Sequence, residues 1–168
     1  LKVEHENGED EMRMWLPAFK RVRRISVKKK GDSFMGSDLT FEDLSNRDLT
    51  HNNYKRLDDD MFDKIECFVL ETLPKKEAQS SYSRHVSWID KKTFNLLKEI
   101  SYDKRGVLEK DKRFEYELIK SFFILKRVLV NNTIKQHSTE IIFTDIQVDM
   151  GTKSDLFHEK NLRRLPKE

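Results

Sequence analysis

The segment that decides the fold runs from Arg84–Ile89 (RHVSWI) through the polar residues Asp90-Lys91-Lys92 to Phe94–Tyr102 (FNLLKEISY). A second polar group, Asp103-Lys104-Arg105-Gly106, then leads into Val107–Ile119. In each apolar run the hydrophobic residues recur with a period near two, which is the period of a β-strand. Strands joined by short turns, without intervening helices, predict an antiparallel meander.

The same alternation extends in both directions from this segment. The acidic run Asp58-Asp59-Asp60 lies between two such stretches and is interpreted as a hairpin loop. About eight strands are expected in all. The further strand-like runs are Glu11–Leu16, Arg21–Val27, Tyr54–Leu57, Lys64–Leu73, Phe122–Val130 and Lys135–Val148.

Two segments depart from this period. Gly36–Leu44 begins with the N-cap candidates Ser37 and Thr40 and has apolar residues at helical spacing, so it predicts a short helix. Ser154–Leu165 is the second helical candidate. The fold class is therefore mainly β, within α+β, with a short helix carried on a loop of the sheet.

A long meander with one apolar face twists and curls, and its concave face needs a cover. The only obvious cover in the sequence is the short helix near Leu39–Leu44. An incompletely covered apolar hollow is suited to a lipid or another hydrophobic ligand. The pattern of residues thus indicates a binding protein before any motif is considered.

Composition limits the function classes. Charged residues make up 38% of the 168 residues, against roughly 25% in an ordinary soluble domain. No apolar run approaches the roughly 20 residues of a membrane-spanning helix. Eleven Phe, two Trp and four Tyr argue against disorder. We expect a single domain over residues 1–168.

Catalytic and metal-binding patterns are not evident. The five histidines are scattered, and none is spaced i,i+4 with another. The acidic run near Asp58 lacks the glycine and closing glutamate of a calcium loop. Cys67 stands within an apolar strand and is interpreted as a core residue. The sequence predicts no enzyme, no metal and no cofactor.

The basic stretch Arg21–Lys30 leaves a minor alternative open. Clustered Lys and Arg residues can bind nucleic acid or anionic headgroups. RNA-binding sheets usually interleave aromatics with the basic residues, and this stretch contains none. A charged outer strand face is the favoured interpretation, and nucleic-acid binding is the less favoured one.

A family resemblance rests on two neighbouring runs. The first is Trp15-Leu16-Pro17-Ala18 followed by a basic strand ending in Arg24-Ile25, and the second is Phe34-Met35-Gly36-Ser37-Asp38 followed by Phe41-Glu42-Asp43-Leu44. Together they resemble the signature of the bacterial outer-membrane lipoprotein-sorting protein family (LolA/LolB-like). Tyr102-Asp103-Lys104 is similar to a later turn of that family, and the likeness extends from Met14 to Leu165.

The resemblance implies an unclosed, strongly curved antiparallel half-barrel with its concave face covered. It implies an exported, periplasmic protein whose signal peptide has been removed. It also implies binding of lipid or lipoprotein acyl chains without catalysis, and an inner-membrane transporter as a further partner. On this resemblance, the chain is expected to lack the family's N-terminal helix and first strands.

The leading hypothesis is a carrier whose apolar hollow holds acyl chains, with opening of the Leu39–Leu44 segment as the gate. A non-catalytic module that docks a membrane transporter is the alternative. Three arginines form a candidate polar rim: Arg21, Arg23 and Arg24. The candidate hollow and lid residues are Met12, Met14, Leu16, Ile25, Phe34, Met35, Leu39, Phe41, Leu44 and Trp88.

Overall fold

The computed structural model describes residues 2–3, 11–26 and 29–163. These residues form two antiparallel sheets. The smaller sheet contains β1 (Lys2–Val3), β2 (Glu11–Leu16) and β3 (Arg21–Ile25). The larger one contains β4 (Asn52–Phe62), β5 (Ile65–Pro74), β6 (Arg84–Asp90), β7 (Leu96–Tyr102), β8 (Leu108–Ile119), β9 (Phe122–Asn132) and β10 (His137–Ile142).

The chain divides into two compact units. The first comprises residues 1–30 and 147–168 and contains the three-stranded sheet. The second comprises residues 31–146 and contains the seven-stranded sheet. In that sheet every strand pairs with the strand next to it in the chain, and the order β10-β9-β8-β7-β6-β5-β4 does not close. The predicted fold class, a mainly β, unclosed antiparallel meander, is confirmed.

The expected hairpin loop at Asp58-Asp59-Asp60 is wrong, because all three residues lie inside β4. The register of β4 against β5 shifts between Leu57 and Asp60, which is a β-bulge. At this bulge the Asp60 carboxylate accepts a hydrogen bond from the Trp88 indole at 2.9 Å. The chain reverses instead at Asp63-Lys64, where φ is +49° and +68°, as in a two-residue type I′ turn.

The short helix expected over Gly36–Leu44 is also wrong, because this segment consists of turns. A bridge pairs Ser33 with Thr40, and the Phe34 amide donates to the Leu39 carbonyl at 2.7 Å. Met35 and Gly36 reverse the chain with φ of +52° and +80°. The helical spacing of the apolar residues instead reflects contacts with the sheet.

The elements near the end of the chain have other bounds than the sequence predicts. Ser154–Leu165 contains two short 3-10 turns, Ser154–Phe157 and Glu159–Arg163, in place of one helix. The last predicted strand narrows to His137–Ile142. Leu165 and Val27, which end two of the predicted elements, lie outside the described residues, as does Asn7-Gly8, a pair typical of a hairpin turn. In the part of the chain that is described, no helix has the length and apolar character needed to cross a membrane.

Residues 31–51 form what we call the covering segment, which crosses one face of the seven-stranded sheet. Leu39 is buried with Val128 and Val130 of β9. Partly buried apolar side chains surround this cluster: Phe34, Phe114, Leu125 and Ile141. The cover predicted from the sequence is therefore present, although it is a loop rather than a helix.

We expect Leu39→Ala to lower the free energy of unfolding by about 2–5 kcal/mol, because it empties a buried site that the sheet cannot refill. Leu118→Ala removes the same atoms from an exposed position of β8 and should change it by less than about 0.5 kcal/mol. Urea unfolding measures both values. Equal effects of the two substitutions would contradict the anchoring role of Leu39.

Candidate functional site

The covering segment and the inner face of the sheet border a partly open cavity of about 640 Å³. Its lining comes from the covering segment and from all seven strands of the larger sheet or their ends. Thirteen of its lining residues are apolar or aromatic: Leu39, Leu44, Leu49, Tyr54, Leu70, Ile89, Phe94, Leu96, Phe114, Leu125, Val128, Ile141 and Phe143. A cavity of roughly 300–1,000 Å³ is typical of ligand sites in proteins.

Strand register arranges the inner face in rows that cross the sheet. Alternate residues of a strand point to the same face, so each row is a set of neighbours in pairing register. One row is polar and buried: Thr72, His85, Ser101, Lys110 and Asn132. The next is mixed: Leu70, Ser87, Glu99, Lys112 and Val130.

Beyond these two rows the inner face becomes apolar. Phe114, Val128 and Ile141 stand opposite one another on β8, β9 and β10. Ile89 and Leu96 stand opposite one another on β6 and β7. The cavity therefore has a polar end, formed by the two polar rows, and an apolar end, formed by the residues beyond them.

A buried ionic network fills the polar end. Asp43 of the covering segment accepts from Lys110 Nζ at 2.7 Å and from Lys112 Nζ at 2.9 Å. Lys112 also lies 2.6 Å from Glu99. The side chains of these four residues are at most 3% exposed. Each buried charge is thus compensated by an opposite charge, as burial requires.

Arg47 extends the network from the covering segment to β7. Its two terminal nitrogens donate to the two oxygens of Glu99 at 2.6 and 2.7 Å, a bidentate pair. The Ser87 hydroxyl donates to the same carboxylate at 3.0 Å. Glu99 consequently has hydrogen-bonding partners on β6, on β8 and in the covering segment.

A second polar anchor holds the start of the covering segment. The Asp38 carboxylate accepts from the Thr139 hydroxyl at 2.7 Å and contacts His137 Nδ1 at 2.7 Å. The Thr139 oxygen in turn accepts from the Asp38 amide at 2.9 Å. The covering segment is fixed to β10 at Asp38, to β8 at Asp43 and to β7 at Arg47.

The network keeps its members in their charged forms. Burial by itself would raise the pKa of Asp43, but Lys112 and Lys110 outweigh burial and lower it well below its ordinary range. Glu99 behaves alike: Lys112 and Arg47 overcome burial and lower its pKa well below the ordinary value. Burial tends to lower the pKa of Lys112, yet Glu99 and Asp43 raise it.

Tyr82 and His85 complete the polar end. The Tyr82 hydroxyl accepts from Lys110 Nζ at 2.6 Å and donates to Asp43 at 2.9 Å, and burial together with the Asp43 charge raises its pKa. His85 Nδ1 lies 2.8 Å from the Ser101 hydroxyl and 3.3 Å from Arg47. Burial and the Arg47 charge lower the pKa of His85 to about 3.

These protonation states make the network a structural anchor. Both carboxylates are held by two cations each, and His85 is neutral at ordinary pH. Groups held this firmly fix the covering segment to the sheet. Cys67 is buried on β5, and burial raises the pKa of its thiol, which disfavours the reactive thiolate.

Some of the hollow and lid residues predicted from the sequence line the cavity of the second unit, and others lie elsewhere in that unit. Leu39 and Leu44 line the cavity. Phe34 and Phe41 pack edge to face with ring centres 5.6 Å apart, and Phe41 is buried. Met35 is 74% exposed at a turn.

Trp88 lies between Ser87 and Ile89, which both line the cavity. The alternation of a strand therefore places its side chain on the opposite face of β6.

The other predicted residues belong to the first unit. Met12, Met14 and Leu16 lie half-buried on β2, and Ile25 is buried on β3. The candidate rim is on the same strand: Arg21, Arg23 and Arg24 are exposed on β3. In register, Arg21 is opposite Leu16 and Arg23 is opposite Met14, so basic and apolar side chains share one face of this sheet. The cavity described above is lined without these residues. Their binding role stays a prediction.

Sequence reasoning missed the ionic network. Lys110 and Lys112 occur in Glu109-Lys110-Asp111-Lys112-Arg113, which has the composition of a solvated strand face. Asp43 stands 67 positions before Lys110 in the chain, and pairing over such a separation has no local signature. Glu99 and Lys112 are neighbours on consecutive strands, but nothing in the sequence indicates that this pair is buried. Asp43 was visible only as part of the predicted helix Gly36–Leu44 and of the resemblance motif.

The open meander with a covering segment over a hollow is a fold shared with lipoprotein-sorting proteins of known structure. A domain from Vibrio parahaemolyticus described as belonging to an outer membrane lipoprotein-sorting protein superimposes with a TM-score of 0.88 and 32% identity, over 97% of this chain and 70% of its own. A DUF1329 family protein from Desulfovibrio piger superimposes with a TM-score of 0.86 and has 34% sequence identity, over 93% of this chain and 66% of its own.

The chain belongs to the outer-membrane lipoprotein-sorting protein family, as the sequence resemblance predicted. A LolA superfamily protein from Nitrosomonas europaea shares the fold, with a TM-score of 0.59 and 16% identity over 87% of this chain and 68% of its own. A family model described as that of an uncharacterized protein matches residues 1–164. No curated protein matches the chain significantly. The chain spans about two thirds of the length of these structural relatives.

We expect Lys112→Met to destabilise the protein by about 3–5 kcal/mol, because it leaves Asp43 and Glu99 with less compensation in a buried site. Lys126→Met breaks only the exposed pair with Glu117 and should cost about 0–1 kcal/mol. Urea unfolding of the two variants makes the comparison. If they are equally stable, the network does not hold the segment.

The lowered pKa of His85 predicts that the free energy of unfolding depends on pH above the range in which carboxylates titrate. Its folded pKa is about 3 against an ordinary 6.5, so the unfolded chain binds a proton that the folded protein does not. From about pH 6.5 to 5 stability should therefore fall with falling pH, by up to about 1.4 kcal/mol per pH unit. Unfolding free energies measured across this range should lose that slope in His85→Gln.

The control for this experiment is His51→Gln, which changes an exposed histidine of the covering segment. It should leave the slope unchanged. A slope that survives in His85→Gln, or that disappears in His51→Gln, would show that His85 is not the group responsible.

Proposed function

We propose that this chain binds lipid or lipoprotein acyl chains in the cavity beneath the covering segment and works as a periplasmic carrier. The observation that carries the proposal is the cavity of about 640 Å³ with its apolar end lined from several strands. Membership of the lipoprotein-sorting family supports the same function and an exported location.

The energetics favour a chain-like apolar ligand. Each methylene that leaves water contributes about 0.8 kcal/mol, so a chain of about ten methylenes would gain roughly 8 kcal/mol before the costs of binding. No catalytic group is needed to achieve this. The polar end supports the carrier by keeping the roof of the cavity in place.

The cavity also weighs against the alternative of a docking module without a ligand. Such a module would fill the inner face of its sheet with its own side chains, whereas here Leu70, Ile89 and Phe114 border open space. A membrane transporter remains a proposed partner that would give or receive the cargo.

The test is uptake of a fluorescent fatty-acyl probe by the chain and by Leu70→Trp. Leu70 lines the cavity from β5, and an indole in its place would occupy part of the space that the acyl chain needs. Loss of a few buried methylenes should weaken binding roughly tenfold or more. Fluorescence titration gives the dissociation constants.

Leu73→Trp is the matched control, since it makes the same exchange on the same strand at an exposed position outside the cavity. It should bind the probe as the unsubstituted chain does. No saturable uptake by the unsubstituted chain, or equal uptake by both variants, would contradict the proposal.

A further inference from the structure

The turns of the seven-stranded sheet present different chemistry at its two ends. Because the meander is antiparallel, the β4–β5, β6–β7 and β8–β9 turns and the end of β10 lie at one end of the sheet. This end is also the apolar end of the cavity, since Phe94 and Phe143 lie there and line it. The β5–β6, β7–β8 and β9–β10 turns lie at the other end, beside the buried ionic network.

Large apolar side chains are exposed mainly at the first of these ends. We call the eight of them the apolar rim: Met61, Ile65, Phe94, Leu118, Phe122, Phe123, Ile142 and Phe143. The turns and adjoining strand ends at the opposite end, with the start of β4, expose five among the described residues: Leu49, Tyr54, Leu73, Val107 and Ile134. A concentration of exposed apolar side chains on one edge marks an interaction surface.

The rim turns have residues with long side chains at left-handed backbone positions. These are Lys64, Phe94 and Lys120, with φ of +68°, +58° and +56°. Glycine or asparagine adopts this conformation at lower cost. The turns at the opposite end have Gln79, Gly106 and Gln136 at such positions, so the two ends differ in the side chain presented and not in backbone conformation. Phe94 is nonetheless 72% exposed.

Each rim turn also carries an exposed lysine: Lys64, Lys92 and Lys120. Two nearby acidic groups, Asp90 and Glu117, are engaged locally. The Asp90 carboxylate accepts from the Lys92 amide and the Thr93 hydroxyl, both at 2.8 Å, and Glu117 pairs with Lys126. Lysines beside exposed aromatic and aliphatic side chains match the boundary between anionic headgroups and acyl chains.

From this arrangement we infer that the apolar rim docks on an anionic phospholipid membrane surface. Phe94 and Phe143 belong to both the rim and the cavity lining, so an acyl chain leaving the bilayer there would meet apolar side chains along its path. The lysines at the turns would contact headgroup phosphates. Membrane docking at the rim is independent of whether the cavity holds an acyl chain.

Vesicle flotation tests this inference with the whole chain. Vesicles of phosphatidylethanolamine and phosphatidylglycerol should carry the chain upward, and vesicles of phosphatidylcholine alone should carry much less. The double variant Phe122→Thr and Phe123→Thr removes two rim aromatics that lie outside the cavity lining. It should lower the bound fraction on anionic vesicles roughly tenfold or more.

A second variant tests the charges. The double variant Lys64→Asn, Lys120→Asn removes two positive charges. Asparagine tolerates the positive φ of both positions, so the turns should keep their backbone conformation. Binding to the anionic vesicles should fall severalfold, because each basic residue near such a surface contributes appreciably. The control is Val107→Thr with Ile134→Thr at the opposite end, which should bind as the unsubstituted chain does.

Uptake of the acyl probe, measured in parallel, separates this inference from the proposed carrier function. The Phe122→Thr, Phe123→Thr variant should retain uptake while losing vesicle binding. The inference is overturned if the unsubstituted chain does not float with anionic vesicles, which would leave the rim as a contact for a protein. It is also overturned if either rim variant binds like the control.

Discussion

The carboxylate of Asp43, held between Lys110 and Lys112, is the interaction on which the second unit depends. A loop without helical hydrogen bonds has little stability of its own, so its position over the sheet must come from contacts with the sheet. Asp43 supplies them in a site from which water is almost excluded, where a missing partner is costly. Arg47 and Asp38 secure the same loop at two further strands.

The division of the inner face into a polar and an apolar end has a functional meaning. Ion pairs hold the roof from one end, so the other end can keep an open space without collapsing onto its own side chains. Most soluble domains fill such a space with a second layer of apolar residues. Here the buried pair of Glu99 and Lys112 takes the place of apolar core residues, and Phe114 and Ile141 line the open space.

The sequence was informative where a pattern is local. Alternation and turn residues predicted the strands from Arg84 onward, and family motifs predicted the lipoprotein-sorting fold. The sequence was misleading where a contact between distant residues, rather than the local pattern, decides the structure. Asp58-Asp59-Asp60 looked like a loop, yet the Trp88 indole holds Asp60 within a bulged strand. The ionic network joins the covering segment to strand residues more than fifty positions away, and no local pattern encodes such a pairing.

The bulge in β4 also changes what the open edge of the sheet offers to another chain. Among the described strands β4 has one partner, so its outer edge offers unpaired backbone groups to another chain. The register shift between Leu57 and Asp60 interrupts the regular spacing of those groups. Asp58 adds a carboxylate beside the bulge, while the Asp59 carboxylate is paired with Arg56 and Lys91. A bulged, charged edge of this kind is a poorer template for edge-to-edge pairing than a regular apolar strand.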